Sequence, residues 1–104
     1  MTAASTPTRR RVRARVGGVV QGVGFRPYVF RLAREHGLDG WVGNDARGVV
    51  LEVEGEPTRV EAFLARLPAA APPLATVERV VPEEMAPTLE AGFAIAPSLS
   101  LIHI

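Results

Sequence analysis

Two helices packed on one face of an antiparallel sheet, in the order βαββαβ, is the α+β fold that three features of this sequence predict. The N-terminal third carries a strictly alternating apolar and charged segment. Two later segments place apolar residues at helical spacing, and each is followed by short β-branched runs bounded by turn residues.

Taken in order, the first strand has Val12, Ala14 and Val16 on one side and Arg11, Arg13 and Arg15 on the other, and it ends near Gly17. Residues Gly17 to Gly24 then hold four glycines in eight positions and lead into Phe25-Arg26-Pro27. Proline suits a first helical turn, and Val29, Leu32 and Ala33 follow on one face, so a helix is predicted from about Arg26 to His36 with Gly37 as its C-terminal cap. Trp41-Val42 opens a second strand, with Trp41 expected in the core. The turn residues Asn44 to Gly48 lead into a third, with Val49, Leu51 and Val53 inward and Glu52 and Glu54 outward. Val60, Phe63, Leu64 and Leu67 mark one face of a second helix, expected to stop at Pro68. An Ala/Pro linker precedes a fourth strand over Ala75–Pro82, and a short last strand is expected around Phe93–Ala96. Two split βαβ units with right-handed crossovers make this a ferredoxin-like sandwich whose second sheet face, carrying the arginines and glutamates, is open to water.

The 104 residues allow one domain, and a chain of this size buries roughly two-thirds of its unfolded surface, enough for a core without staples. The absence of cysteine removes disulfides, thiolate metal sites and a cysteine nucleophile, and leaves the redox compartment open. No apolar run approaches the roughly 18 residues of a membrane span, and the N-terminus lacks the hydrophobic middle of a signal peptide, so a soluble cytoplasmic protein is expected. Residues 1–9 are expected to form a disordered leader, 10–98 the domain, and 99–104 an apolar tail without a place in it. All 12 basic residues are arginine and five cluster between Arg9 and Arg15, yet the net charge is only +1. That stripe is expected to be a solvated or docking face, because the open face lacks the aromatics on which nucleic-acid-binding sheets of this topology stack bases.

The chemistry concentrates in the turn before the first helix. Helix N-terminal N–H groups have no intrahelical partner and the dipole is positive there, so a glycine-rich turn leading into a helix is an anion site. Arg26 adds a fork of donors suited to phosphate. A cation at that end opposes the dipole unless an anion lies between them, which disfavours a purely structural Arg26. No Gly-Lys-Ser/Thr follows the glycines, which excludes a Walker loop.

The run Gly18-Val19-Val20-Gln21-Gly22-Val23-Gly24-Phe25-Arg26 closely resembles the acylphosphatase signature. A second block, Gly37-Leu38-Asp39-Gly40-Trp41-Val42-Gly43-Asn44, stands at the expected distance. The resemblance covers about Arg11 to Ser98. The wording Phe25-Arg26-Pro27-Tyr28-Val29, Asn44-Asp45-Ala46-Arg47-Gly48 and Gly92-Phe93-Ala94-Ile95 is similar to one branch, the N-terminal acylphosphatase-like domain of the HypF carbamoyltransferases that mature nickel–iron hydrogenases. The cysteine-rich and nucleotide-binding modules that follow in that branch have no counterpart here, so a truncated frame or an isolated domain is expected.

The resemblance implies hydrolysis of acyl or carbamoyl phosphate. It places a phosphate cradle at Gln21, Gly22, Val23, Gly24, Phe25 and Arg26, the phosphate grip at Arg26, and the water-orienting side chain at Asn44. Gln21 is expected to hold the loop through side-chain hydrogen bonds. The bland reading of Asn44 is a turn residue, and Asp45 and Arg47 are expected on the solvated rim. His36 sits where a helix C-terminus stabilises an imidazole, and His103 lies in the tail; two isolated histidines do not make a metal site, and no metal or cofactor is expected. The implied partners are the substrate and, for a fragment, the downstream domains of a parent enzyme, with neither nucleic acid nor membrane and with a monomer as the isolated state. Two alternatives stay open: a free-standing acylphosphatase and a catalytically weak docking module.

Overall fold

The computed structural model describes residues 8–96, so residues 1–7 of the expected leader and the expected 99–104 tail lie outside the described residues. The elements are β1 (Arg10–Val19), α1 (Phe25–Glu35), β2 (Asp39–Asp45), β3 (Gly48–Gly55), α2 (Pro57–Ala69), β4 (Thr76–Met85) and β5 (Phe93–Ile95). The sheet order is β4-β1-β3-β2-β5. The expected βαββαβ order and the two helices on one face are present.

Alternation decides which residues face the helices. Val12, Ala14 and Val16 of β1 and Val49, Leu51 and Val53 of β3 are fully buried beneath Phe25, Val29 and Leu32 of α1 and Val60, Phe63 and Leu67 of α2. Each of the buried Val, Leu and Phe side chains contributes about 1.5–3 kcal/mol. Tyr28 ties the helices together by donating its hydroxyl to the Leu67 carbonyl at 2.6 Å, one of the carbonyls left over at the end of α2. Gly37 adopts φ +65 and its N–H bonds the Arg34 carbonyl at 3.1 Å, the left-handed helix stop expected there.

Four expectations need correction. The sheet is mixed, because β5 runs parallel to β2. The cause is the route of the chain: β4 ends at Met85 beside Arg11, at the end of the sheet where β2 begins, so a segment entering there runs in the direction of β2. The same segment explains the second correction. Arg11, Glu52 and Glu54, expected in water, are 5%, 6% and 0% exposed, because Thr88 and Leu89 of the segment 86–92 bond Arg11 and Glu54 on that face while the side chains of Arg11 and Arg13 bond Glu52. Trp41, expected in the core, is half-buried on that same face, since its neighbour Val42 takes the inward position. Finally, α2 runs through Pro68 to Ala69. A proline in the last turn removes a single hydrogen bond, and the Ala70 N–H still bonds the Arg66 carbonyl at 3.0 Å.

Glu54 is the centre of the covered end. Its carboxylate accepts from Arg9 Nε at 2.8 Å, Arg11 Nη1 at 2.8 Å and the N–H groups of Thr88 and Leu89 at 2.9 and 3.0 Å. Arg9, the last residue of the expected leader, is thus anchored by Glu54 and by Asp39.

Candidate active site

The loop between β1 and α1 is pinned at both ends by apolar side chains. Val20 and Phe25 are buried, and Val23 packs against the core, while Gln21, Gly22 and Gly24 stay exposed. Gly22 at φ +71 and Gly24 at φ +77 make the curl, and nothing stands within 4 Å of where their Cβ atoms would be. Glycine is required at both for backbone conformation, not for lack of room.

Gly24 caps α1 without a side-chain hydrogen bond, and the first turn holds no acidic residue. The N–H groups of Gln21 to Gly24 and of Phe25 and Arg26 donate to no protein acceptor among the described residues. Arg26 is half-buried and forms no ion pair among the described residues. The loop therefore leads free N–H groups into the positive end of a helix whose first turn carries Arg26, with no counter-charge supplied by the described residues, an arrangement that can hold an anion.

Strand polarity brings Asn44 to this loop. Val16 of β1, Val49 of β3 and Asn44 of β2 are successive register partners. Asn44 is half-buried and, two residues after Val42, points to the helix side of the sheet, the side on which α1 begins. Two strand spacings put its backbone about 10 Å from that of Val16. The β2–β3 turn beside it shares a depression of about 330 Å³ with the loop, lined by Gly18 to Gln21 and Ala46 to Gly48. Gln21 donates its side-chain amide to the Asp45 carbonyl at 3.0 Å, the loop-holding contact expected of it.

Asp45 and Arg47 do sit on the rim, but Asp45 is more than a solvated turn residue. Arg15 grips its carboxylate from β1, and the Arg47 N–H bonds it at 2.9 Å. Burial works against the Asp45 charge, and the Arg47 N–H, Arg15 and the Gly48 N–H outweigh it, holding the carboxyl below the ordinary range. Neither this pair nor the Glu54 cluster was visible in the alternating pattern, which specifies a side chain's face but not its partner. His36 lies away from the loop, its Nδ1 at 3.0 Å from the Leu32 carbonyl, and His103 lies outside the described residues. No group of three or more potential metal ligands exists among the described residues.

The family model for acylphosphatase matches residues 12–95. The chain belongs to the acylphosphatase family. The carbamoyltransferase HypF2 of Cupriavidus necator is 52% identical over 93 residues, covering 88% of this chain but 12% of that protein. An acylphosphatase of Rhizorhabdus wittichii is 38% identical over 100 residues, covering 95% of this chain and all of that protein. Among solved structures, full-length HypF in a phosphate- and nucleotide-bound form superposes with a TM-score of 0.85 at 34% identity, covering 91% of this chain and 13% of that one. This acylphosphatase domain thus spans about an eighth of the carbamoyltransferase relatives and the full length of a free-standing one. No helix among the described residues is long and apolar enough to cross a membrane.

Proposed function

We propose that the cradle binds the phosphate of an acyl phosphate and that Asn44 orients the water that attacks it. The reading is supported by the N–H groups of Gln21 to Arg26, which find no acceptor among the described residues, by an Arg26 without an ion pair among them, and by Asn44 standing next to Asp45, whose carbonyl accepts the Gln21 side chain. The water oxygen bonds to phosphorus, the bond from phosphorus to the acyl oxygen breaks, and the carboxylate leaves with that bond's electron pair. A carboxylate is a weak base and leaves unprotonated, while the proton lost by the water is taken up by the phosphate. The protein needs no general acid, and its contribution is positioning and stabilisation of charge on the phosphoryl oxygens. The domain covers residues 10–98. As the N-terminal part of a longer cytoplasmic carbamoyltransferase it acts on carbamoyl phosphate, releasing carbamate and phosphate, and its partners are the domains that follow. Full-length coverage of a free-standing relative supports a second reading, an independent acylphosphatase of broad acyl range.

Phosphate release from acetyl phosphate and carbamoyl phosphate, measured in parallel, tests both. The charge-assisted hydrogen bonds of Arg26 are worth about 1.5–3 kcal/mol each, so losing two in Arg26→Ala lowers kcat/KM about 10²- to 10⁴-fold and abolishes inhibition by inorganic phosphate. Asn44→Ala lowers kcat and retains phosphate inhibition. Equal loss of phosphate binding in the two variants removes the division of roles. A wild type that binds phosphate without turnover leaves a docking module or a domain that needs the domains following it. Comparable turnover of the two substrates favours the free-standing reading.

A further inference from the structure

The carboxylate of Asp45 is held from two elements at once. Arg15 Nη1 donates to Oδ1 at 3.1 Å and to Oδ2 at 2.9 Å. Arg15 pairs in register with Val50, and β3 lies between β1 and β2, so the Arg15 side chain crosses a whole strand to make this contact. From the turn itself, the Arg47 N–H donates to Oδ1 at 2.9 Å. The main-chain carbonyl of the same Asp45 accepts the Gln21 amide at 3.0 Å. Asp45 follows Asn44 directly and faces the other side of the sheet, so it touches neither the phosphate nor the water of the proposed reaction. Its two halves nevertheless join three things: the sheet, the turn that ends β2, and the cradle loop. Ala46 and Arg47, the two residues between β2 and β3, are exposed.

We infer that Asp45, clamped by Arg15, is a positioning residue for the hydrolysis: it fixes the Asn44 peptide relative to the cradle loop, keeping the oriented water in line with the held phosphate. The inference rests on the roles proposed above for Asn44 and the cradle. A misplacement of about 1 Å in a reacting group costs up to about 10²-fold in rate, which sets the expected scale.

The test uses the full chain, with acetyl phosphate as substrate and inorganic phosphate as competitive inhibitor. Asp45→Asn keeps an acceptor for the Arg47 N–H and removes the charge that Arg15 holds. It lowers kcat about 10- to 100-fold and leaves the inhibition constant for phosphate within about twofold. Arg15→Met does the same, and Arg15→Lys restores most of the rate. The decisive readout is a double-mutant cycle: on an Asn44→Ala background, Asp45→Asn has no further effect, because the group it positions is gone. Full kcat in Asp45→Asn, or the same fold-loss with and without Asn44, overturns the inference and leaves Asp45 a purely structural residue. If Asp45→Asn does not fold, the cycle run with Arg15→Met decides by the same criterion, since that variant keeps the turn's own bond to Asp45. An Asn44→Ala variant with full kcat overturns the role of Asn44 and this inference together. An impaired Asn44→Ala with additive losses overturns this inference alone.

Discussion

Replacing Glu54 by glutamine measures how much of the fold rests on one buried carboxylate. Glu54 is fully buried and accepts hydrogen bonds from Arg9, Arg11 and the N–H groups of Thr88 and Leu89. Glutamine fills the same volume but has a single acceptor oxygen, and its amide nitrogen turns donors toward donors. Arg11, itself nearly sealed from water, is left with Glu52 as its carboxylate partner. Breaking a buried ion pair by removing one partner costs about 3–5 kcal/mol, a large share of the roughly 5–15 kcal/mol that holds a domain folded. Guanidinium chloride unfolding at neutral pH reads this as a lower midpoint with unchanged slope. Acid provides the second half of the measurement. Burial alone would raise the Glu54 carboxyl, but the Thr88 N–H, Arg9, Arg11 and the Leu89 N–H outweigh it and hold its pKa far below the ordinary 4.5. A carboxyl depressed in the folded state contributes stability that is complete above its unfolded pKa and is lost as the pH falls toward the folded one. Wild type therefore loses this contribution below about pH 4.5, Glu54→Gln has none to lose, and the two stability curves converge. A variant within about 1 kcal/mol of wild type at neutral pH, or a gap that stays constant down to about pH 3, refutes this account.

Two glycines and a tyrosine give sharper local tests. Gly24→Ala forces a side chain into φ +77 without any clash, costing about 1–2 kcal/mol; the unfolding midpoint falls by a matching amount, and partial relief of the strain moves the proposed cradle N–H groups, so KM for acetyl phosphate rises. Gly18→Ala at φ +130 drives a Cβ into the Thr76 carbonyl, so this variant loses the β1–β4 pairing and a circular dichroism melt finds it destabilised far beyond Gly24→Ala. Tyr28→Phe leaves the Leu67 carbonyl without its hydroxyl donor, lowering stability by about 1–2 kcal/mol in denaturant unfolding with kcat unchanged.

What was legible in the sequence was whatever depends on spacing. Val12-Ala14-Val16 and Val60-Phe63-Leu67 announce the period of their element, and every one of these residues is fully buried. Gly22, Gly24 and Pro27 announce a turn that becomes a helix, and α1 begins at Phe25, one residue before its expected start. Pairings between distant residues carry no such signal. Alternation puts Arg11 and Glu54 on the second face of the sheet correctly, but says nothing of a covering segment that starts 32 residues after Glu54. Thr88 and Leu89, which close over Glu54 with Leu89 at φ +64, lie in a stretch without periodicity or turn motif. Asp45 was hidden for a related reason: an aspartate beside a turn glycine has an adequate local explanation, and only the register of β1 on β3 and β3 on β2 reveals that Arg15 can reach it.

Strand polarity explains why the candidate site and the Glu54 clasp fall at opposite ends of one sheet. β1 and β2 run the same way with β3 antiparallel between them, so their C-terminal ends share an edge. Whatever follows these strands must lie side by side: after β1 the proposed cradle loop, after β2 the Ala46–Arg47 turn, with Asn44 and Asp45 closing the strand before it. Their N-terminal ends share the other edge, and there the returning segment after β4 meets Arg9, Arg11, Asp39 and Glu54. Arg11 and Val19 are eight residues apart on β1, which is about 26 Å of strand. Over that distance the stability lost in Glu54→Gln is lost far from the proposed cradle, whereas the Arg15–Asp45 pair sits at the edge that carries it. Two ion-pair groups on one sheet face thus have different consequences, and the direction of three strands decides which is which.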